Sequence, residues 1–140
     1  MNKFIKILSF TFILCLSCYL FSGCTFKTYS FIGVVDQKTN EIILYADLDE
    51  ETKKAVDETI GSNATIKLKG NDEFMLKYYE YSGSMRITYE QSGLYELDKE
   101  NKTIIFNFPK ADGSGVTTLN QQYEDGKIIY FANGEYLVFA

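Results

Sequence analysis

The chain has 140 residues and a formal net charge of −5, with 14 basic side chains, 19 acidic side chains and no histidine. The acidic balance makes nucleic acid a poor partner, because its phosphates are met by Lys and Arg. Without histidine the sequence lacks the commonest general base, the usual zinc ligand and the Ser-His triad. Pairs of carboxylates remain a route to acid and base chemistry, but among so many acidic residues such pairs arise by chance. We therefore expect no enzymatic activity, no metal and no cofactor.

The first 23 residues have the layout of a secretory signal. Lys3 and Lys6 precede an uncharged run, residues 7–23, that is rich in Phe, Ile and Leu. This run is also close to the shortest length that spans a bilayer. An uncleaved membrane anchor is therefore the alternative interpretation.

The uncharged run ends in Leu20-Phe21-Ser22-Gly23-Cys24, which resembles the lipobox of bacterial lipoproteins. Leucine is usual three residues before that cysteine, whereas this chain has Phe21 there. The resemblance implies that Cys24 is acylated, that residues 1–23 are removed as a signal peptide and that residues 24–28 form a lipidated tether. We expect an exported protein held on the outer face of the cytoplasmic membrane, in the cell envelope. Because anionic head groups repel an acidic surface, the lipid would provide the membrane contact.

From residue 28 onward, short apolar and aromatic runs are separated by turn residues about every eight to twelve positions, which is typical of an antiparallel β-sandwich or β-barrel. Asp125-Gly126 and Asn133-Gly134 are the sharpest hairpin signals, since Asn, Asp and Gly accept the positive φ angles of tight turns. Pro109 ends a strand and begins a Gly-rich loop at residues 111–115. The predicted strands are 28–36, 41–45, 64–69, 73–81, 84–90, 93–98, 102–108, 116–124, 127–132 and 135–139.

One stretch breaks the β pattern and predicts a single amphipathic helix near residues 48–60. Its apolar stripe consists of Leu48, Ala55, Val56 and Ile60. Asp47 or Asp49 can cap the free N–H groups at its start, and Gly61 suits its C-terminal stop. The acidic run 47–51 also invites comparison with a calcium-binding loop, but it lacks the ligand spacing and central Gly of an EF-hand. We therefore assign it to capping.

Alternation along the predicted strands separates an apolar face from a solvated one. The side chains expected to point inward are Ala64, Ile66, Leu68, Phe74, Leu76, Tyr78, Met85, Ile87, Tyr89, Tyr95, Leu97, Ile104, Phe106, Phe108, Leu137 and Phe139. The opposite faces carry Lys67, Lys69, Lys77, Arg86, Glu90, Glu96 and Glu135. A sheet with one apolar face and a single helix closes its core by curling into a barrel or by packing under the helix.

A family resemblance covers most of the chain from Thr28 to Ala140. It rests on Thr28-Tyr29-Ser30-Phe31, the short helix, and the segments 64–68, 93–97, 103–106, 125–128 and 133–139. In this order the segments resemble the small lipocalin-like domains of bacterial surface lipoproteins. The resemblance implies an all-β domain over residues 29–140, an antiparallel meander β-barrel with one short helix near one end. Where many lipocalins open with Trp, this chain has Tyr29 or Phe31.

Tyrosine is the most informative residue type for function, with 11 copies in the chain. Most of these rings are expected to fill the core and to stabilise cross-strand pairs. Tyr79 and Tyr81 fall on the face opposite the predicted core side chains, so they are candidates for a contact surface. Tyr89 and Tyr95 are further candidates for binding a ligand or a partner, because rings with a polar tip can line the mouth of a barrel.

Two functional hypotheses follow. The one we favour is a non-enzymatic interaction domain with a filled core, which contacts other envelope proteins through its strand faces or the loop 111–115. The alternative is a lipocalin-like module that binds a small apolar or amphipathic ligand inside the barrel. The first predicts a solid barrel with an exposed aromatic patch, and the second predicts a cavity. A small barrel that is also closed by a helix has little interior left.

Overall fold

A computed structural model of the chain describes residues 26–140. The predicted signal peptide, the lipobox and Cys24 lie outside the described residues. Within them the strands and the α-helix are β1 (Phe26–Val35), β2 (Ile42–Leu44), α1 (Glu50–Thr59), β3 (Thr65–Lys69), β4 (Glu73–Ser82), β5 (Met85–Asp98), β6 (Thr103–Pro109), β7 (Val116–Glu124), β8 (Lys127–Ala132) and β9 (Glu135–Phe139). A 3₁₀ turn, Tyr45–Asp47, precedes the helix.

The strands form a closed antiparallel barrel. Strands β3 to β9 are neighbours in sequence order, and β1 lies between β9 and β3. The first half of β1, Phe26 to Ser30, pairs with β3, and its second half pairs with β9. Eight strands therefore close the ring, while the short β2 pairs with the end of β1. The all-β meander barrel expected from the sequence is confirmed, with the one short helix in its predicted place.

The two ends of the barrel differ in what they carry. Because neighbouring strands are antiparallel, β1, β4, β6 and β8 all run toward the same end. That end, which we call the helix end, holds α1 and the turns after β4, β6 and β8. The side-chain amide of Gln37 donates to the carbonyl oxygen of Gly134 at 2.8 Å and ties two of its turns together. The N-terminal end, where Phe26 begins β1, lies at the opposite side of the barrel.

Alternation of the strands builds the core as predicted over most of the barrel. Its fully buried side chains include Val56, Ile66, Phe74, Ile104, Phe106, Ile128, Leu137 and Phe139. The ring of Phe74 lies edge-on to that of Phe106, with centroids 4.8 Å apart. This core and the closed ladder lie within the described residues, 26–140.

Helix α1 closes the core at the helix end. Val56 of the helix is buried in the core, together with Leu48 before the helix and Ile60 at its C-terminal end. The carboxylate of Asp49 accepts a hydrogen bond from the backbone N–H of Thr52 at 2.8 Å, so Asp49 is the N-cap. This bond lowers the pKa of Asp49. No helix within residues 26–140 is long and apolar enough to cross a bilayer.

Two predictions about the middle of the chain were wrong. The segments 84–90 and 93–98 are parts of one strand, β5, which passes through Gly93. A Cβ at Gly93 would lie 2.0 Å from the carbonyl oxygen of Asn107, so the glycine permits close backbone approach rather than a turn. Met85 and Ile87, expected in the core, are exposed because this part of β5 extends past the barrel. In addition, β1 begins at Phe26 and so includes the last residues of the predicted tether.

Candidate functional site

The interior of the barrel is filled with aromatic and aliphatic side chains. The space at its centre is bordered by Ile66, Phe74, Leu76, Phe106, Phe108 and Tyr130, and it has no room for a water molecule. The rings of Phe74 and Phe108 meet edge to face at 4.9 Å, and Tyr130 packs against Phe106. The bulky residues that close this small core therefore also occupy the space in which a lipocalin-like barrel would hold a ligand.

Three of the exposed large apolar side chains, Tyr81, Met85 and Ile87, lie on a projecting hairpin. The β4–β5 ladder continues to the pair Ser82 and Met85, whereas β3 stops opposite Lys77 and β6 stops opposite Leu94. Residues 79–88 therefore form a two-stranded extension, which we call the β4–β5 ribbon. Gly83, with φ of 64°, begins its two-residue turn, where a positive φ is needed at the first position.

The outer face of the ribbon carries the two tyrosines that the sequence singled out. Tyr81 is 55% exposed. Tyr79 is half-buried, and the guanidinium carbon of Arg86 lies 4.6 Å from its ring centroid. Such a cation over an aromatic face is attracted by the ring quadrupole. The structure thus brings Tyr79 and Tyr81 together on one face, with Arg86 beside them.

The other face of the ribbon carries a second apolar group. Met85 is 67% exposed and Ile87 is 38% exposed, next to Tyr89. The Tyr89 ring stacks on that of Tyr78, with centroids 5.3 Å apart and an interplanar angle of 17°. The charge of Glu80 raises the pKa of Tyr89. Sequence alternation placed Met85 and Ile87 in the core and so missed this face.

Tyr95 lies apart from the other candidates. It is six residues from Tyr89 along β5, a separation of about 20 Å. Its hydroxyl donates to the carbonyl oxygen of Lys69 at 3.2 Å, and its ring packs against the core near the N-terminal end. Burial raises the pKa of Tyr95. In this position the side chain ties the β3–β4 turn to β5, and it shares no surface with Tyr79 or Tyr81.

Two further surfaces lie outside the ribbon. A groove of about 540 Å³ is lined by residues of β1, β2, β7, β8 and β9, and its apolar part consists of Val35, Ile42, Ile129 and Tyr136. The loop 111–115 lies at the helix end, where the backbone N–H of Lys110 donates to the carbonyl oxygen of Gly115 and that of Ser114 to the carboxylate of Asp112. Neither surface combines exposed aromatic rings with a projecting strand, as the ribbon does.

The described residues contain no group of three or more His, Cys, Asp or Glu side chains placed to hold a metal ion. Comparisons with protein-family models, curated proteins and solved structures gave no match.

Proposed function

We propose that this chain is a membrane-tethered surface lipoprotein whose barrel is a non-enzymatic interaction domain for other envelope proteins. The lipid is attached to Cys24, and the contact surface is the β4–β5 ribbon. The observation that carries the proposal is the exposure of Tyr81 on one face of the ribbon and of Met85 and Ile87 on the other. Apolar side chains gathered in this way on a surface mark contact sites.

The placement of the barrel ends supports this role. Strand β1 begins at Phe26, only two residues after Cys24, at the N-terminal end of the barrel. The ribbon turn at Gly83 lies at the opposite end, because β4 runs parallel to β1. A lipid on Cys24 would therefore hold the N-terminal end at the membrane and leave the ribbon away from the attachment point, free to meet a partner.

The filled interior favours this function over small-ligand binding. A ligand pocket of ordinary size has several hundred cubic ångströms, whereas the centre of this barrel excludes even water. An apolar ligand would have to displace Phe74 or Phe106 from a close-packed core, at a cost of several kcal/mol. The ribbon offers its aromatic rings without any such rearrangement.

Photo-crosslinking in the host envelope tests the contact surface. A photoreactive aromatic residue replaces Tyr81 in the full chain, and a matched variant carries it at Phe131, which is 50% exposed at the helix end on another side of the barrel. We expect a defined protein adduct from position 81 that position 131 does not give. Adding Tyr79→Ser should weaken that adduct. No protein adduct at position 81, or the same adducts at both positions, would contradict the proposal.

The lipid attachment is tested separately with Cys24→Ser. Incorporation of labelled fatty acid should be seen in the wild-type chain and should be absent in the variant, because the thiol is the acceptor. Labelling that survives Cys24→Ser would disprove attachment at this residue. A wild-type chain that stays in the membrane at full precursor length without label would indicate the uncleaved anchor instead.

A further inference from the structure

Over about half of its length, the edge of β5 that faces away from β4 is not paired with another strand. From Met85 to Ser92 the strand pairs with β4 on one side, and its pairing with β6 on the other side begins only at Leu94. No other strand within residues 26–140 covers this edge. Exposed edges of this length are templates for pairing with a further strand.

The register identifies the backbone groups that face this edge. The N–H of Tyr79 donates to the carbonyl oxygen of Ile60 and so points away from β5. Tyr79 is opposite Thr88, and directly opposed residues in an antiparallel ladder turn their backbone groups either both toward each other or both away. Thr88 therefore presents its N–H and C=O to the free edge, and so do Arg86 and Glu90, two residues to either side.

We propose that two copies of this domain associate by pairing these edges antiparallel, about a two-fold axis at Thr88. In this register Arg86 of each copy lies opposite Glu90 of the other, so two ion pairs form across the interface. On the other face, Ile87 of each copy lies opposite Tyr89. Both kinds of cross-strand pair are stabilising. The edge is therefore self-complementary, as an isologous dimer interface requires.

The charges select this register over its neighbours. A two-fold axis at Ile87 or at Tyr89 would also bring the free backbone groups face to face. With the axis at Ile87, however, Arg86 lies opposite Thr88, and with the axis at Tyr89 it lies opposite Ser92. Neither alternative forms the ion pairs, so the axis at Thr88 is the one that the side chains favour.

The same register gives Met85 an apolar neighbour. It places Met85 of one copy opposite Gln91 of the other. Gln91 and Ser92 border a cleft of about 420 Å³ between β5 and β6, whose opposite wall includes Phe108 and Leu119. Met85, the most exposed of the large apolar side chains in the described residues, would therefore enter a cleft with apolar walls.

The pairing shares Met85 and Ile87 with the proposed contact surface, but it goes beyond the proposed function because its partner is a second copy of this domain and it depends on no lipid. A two-fold axis across the paired strands points the two N-terminal ends in opposite directions along the strands. Two copies attached to one membrane would thus pair with their strands lying along its surface.

Charge reversal tests the interface on residues 26–140, which contain the closed strand ladder and the buried core. Sedimentation equilibrium should show a dimer of the wild-type domain. Arg86→Glu and Glu90→Arg should each weaken it at least about tenfold, because each puts like charges opposite each other. An equimolar mixture of the two variants should dimerise again, since both pairs that cross the interface are then of opposite charge; the loss of the Lys77–Glu90 ion pair within the Glu90→Arg copy is the same with either partner. Lys54→Glu, an exposed reversal on α1, is the matched control and should leave the dimer unchanged; circular dichroism verifies the fold of each variant.

Single cysteines test the register, because the natural cysteines, at positions 15, 18 and 24, lie outside this domain. Thr88→Cys places two thiols on the axis with Cα atoms about 5.5 Å apart, within the range that a disulfide spans. Ser92→Cys, on the same strand and face, separates them by about 26 Å. We expect a disulfide dimer from Thr88→Cys alone. A wild-type domain that stays monomeric at its highest soluble concentration, a variant mixture that stays monomeric, or equal crosslinking from both cysteines would overturn the proposal.

Discussion

The backbone N–H of Tyr79 donates to the carbonyl oxygen of Ile60 at 3.0 Å, at the point where β4 has extended past β3. The end of the helix thus takes over from β3 as the partner of the β4 edge, and the ribbon begins there. The next residue, Gly61, has φ of 74°, and a Cβ on it would lie 3.1 Å from the Cβ of Tyr79. The end of α1 and the base of the ribbon are therefore fitted to each other at one glycine.

Gly61→Ala is expected to destabilise the domain through both the backbone and this contact. The left-handed conformation alone costs an alanine about 1–2 kcal/mol, and the new methyl group must also displace Tyr79. Gly83→Ala is the matched control, because φ is 64° there and nothing lies within 4 Å of the added Cβ. Chemical denaturation should show the larger loss for Gly61→Ala. Equal losses would mean that the contact with Tyr79 is relieved without cost.

Gln121 supplies a bond that the β7–β8 ladder lacks. Its side-chain oxygen accepts from the backbone N–H of Phe131 at 2.9 Å, beyond the last ladder pair of Gln122 and Ile129. Gln121→Leu removes this acceptor, and we expect a loss of about 1–3 kcal/mol with faster amide exchange at Phe131. The exposed neighbour Gln122, changed to Leu, should alter neither quantity. Unchanged exchange at Phe131 in Gln121→Leu would show that the bond is dispensable.

Phe74→Ala tests whether the filled core holds the barrel together. The ring is fully buried against Phe106 and Phe108, so its removal should lower the free energy of unfolding by about 3–5 kcal/mol. Leu94→Ala, on an exposed side chain, should change it by less than about 0.5 kcal/mol. The cavity left by Phe74→Ala should bind a small apolar molecule such as benzene, which the wild-type domain should not. A small loss of stability without such binding would mean that the interior is not close-packed.

The stability of the domain should fall at alkaline pH. Burial raises the pKa of Tyr130 above its ordinary value of 10.0, because the fold disfavours the phenolate. The unfolded chain therefore releases this proton at a lower pH than the folded one, so the stabilisation is complete below about pH 10 and is lost as pH rises above it. Tyr130→Phe keeps the ring and should reduce the loss measured by urea denaturation between pH 8 and pH 11. An alkaline loss identical to that of the wild type would exclude a contribution from Tyr130.

The alternation of apolar residues predicted the core well where strands are flanked on both sides. Ile66 and Leu68 alternate with Thr65, Lys67 and Lys69 and are buried as expected. The turn signals Asp125-Gly126 and Asn133-Gly134 were also correct, with positive φ at all four residues. These features are local, since a pleated strand and a tight turn depend on neighbouring residues alone.

The exposure of the β4–β5 ribbon could not be predicted in the same way. Met85, Ile87 and Tyr89 continue the alternation of Tyr95 and Leu97, and the pattern is the same inside and outside the barrel. Burial there depends on how far β3 and β6 extend beside the ribbon, which is a property of the pairing and not of β5 itself. The predicted strands ended at residue 90 and began again at Gly93, because a glycine within a strand and a glycine beside a turn give the same sequence signal. The ribbon face with Met85 and Ile87 was missed because the length of β3 and β6 beside it could not be read from β5.

Native mass spectrometry of the domain, residues 26–140, exported and purified from its host's envelope, tests most directly whether the barrel acts through its surface. Under native conditions we expect masses that correspond to the polypeptide alone, as a monomer and as the proposed dimer, and after denaturation the mass of the monomer alone. A mass excess that is released as a small molecule on denaturation would contradict this account, because it would require a binding site inside a barrel whose centre is filled. It would also identify the class of ligand.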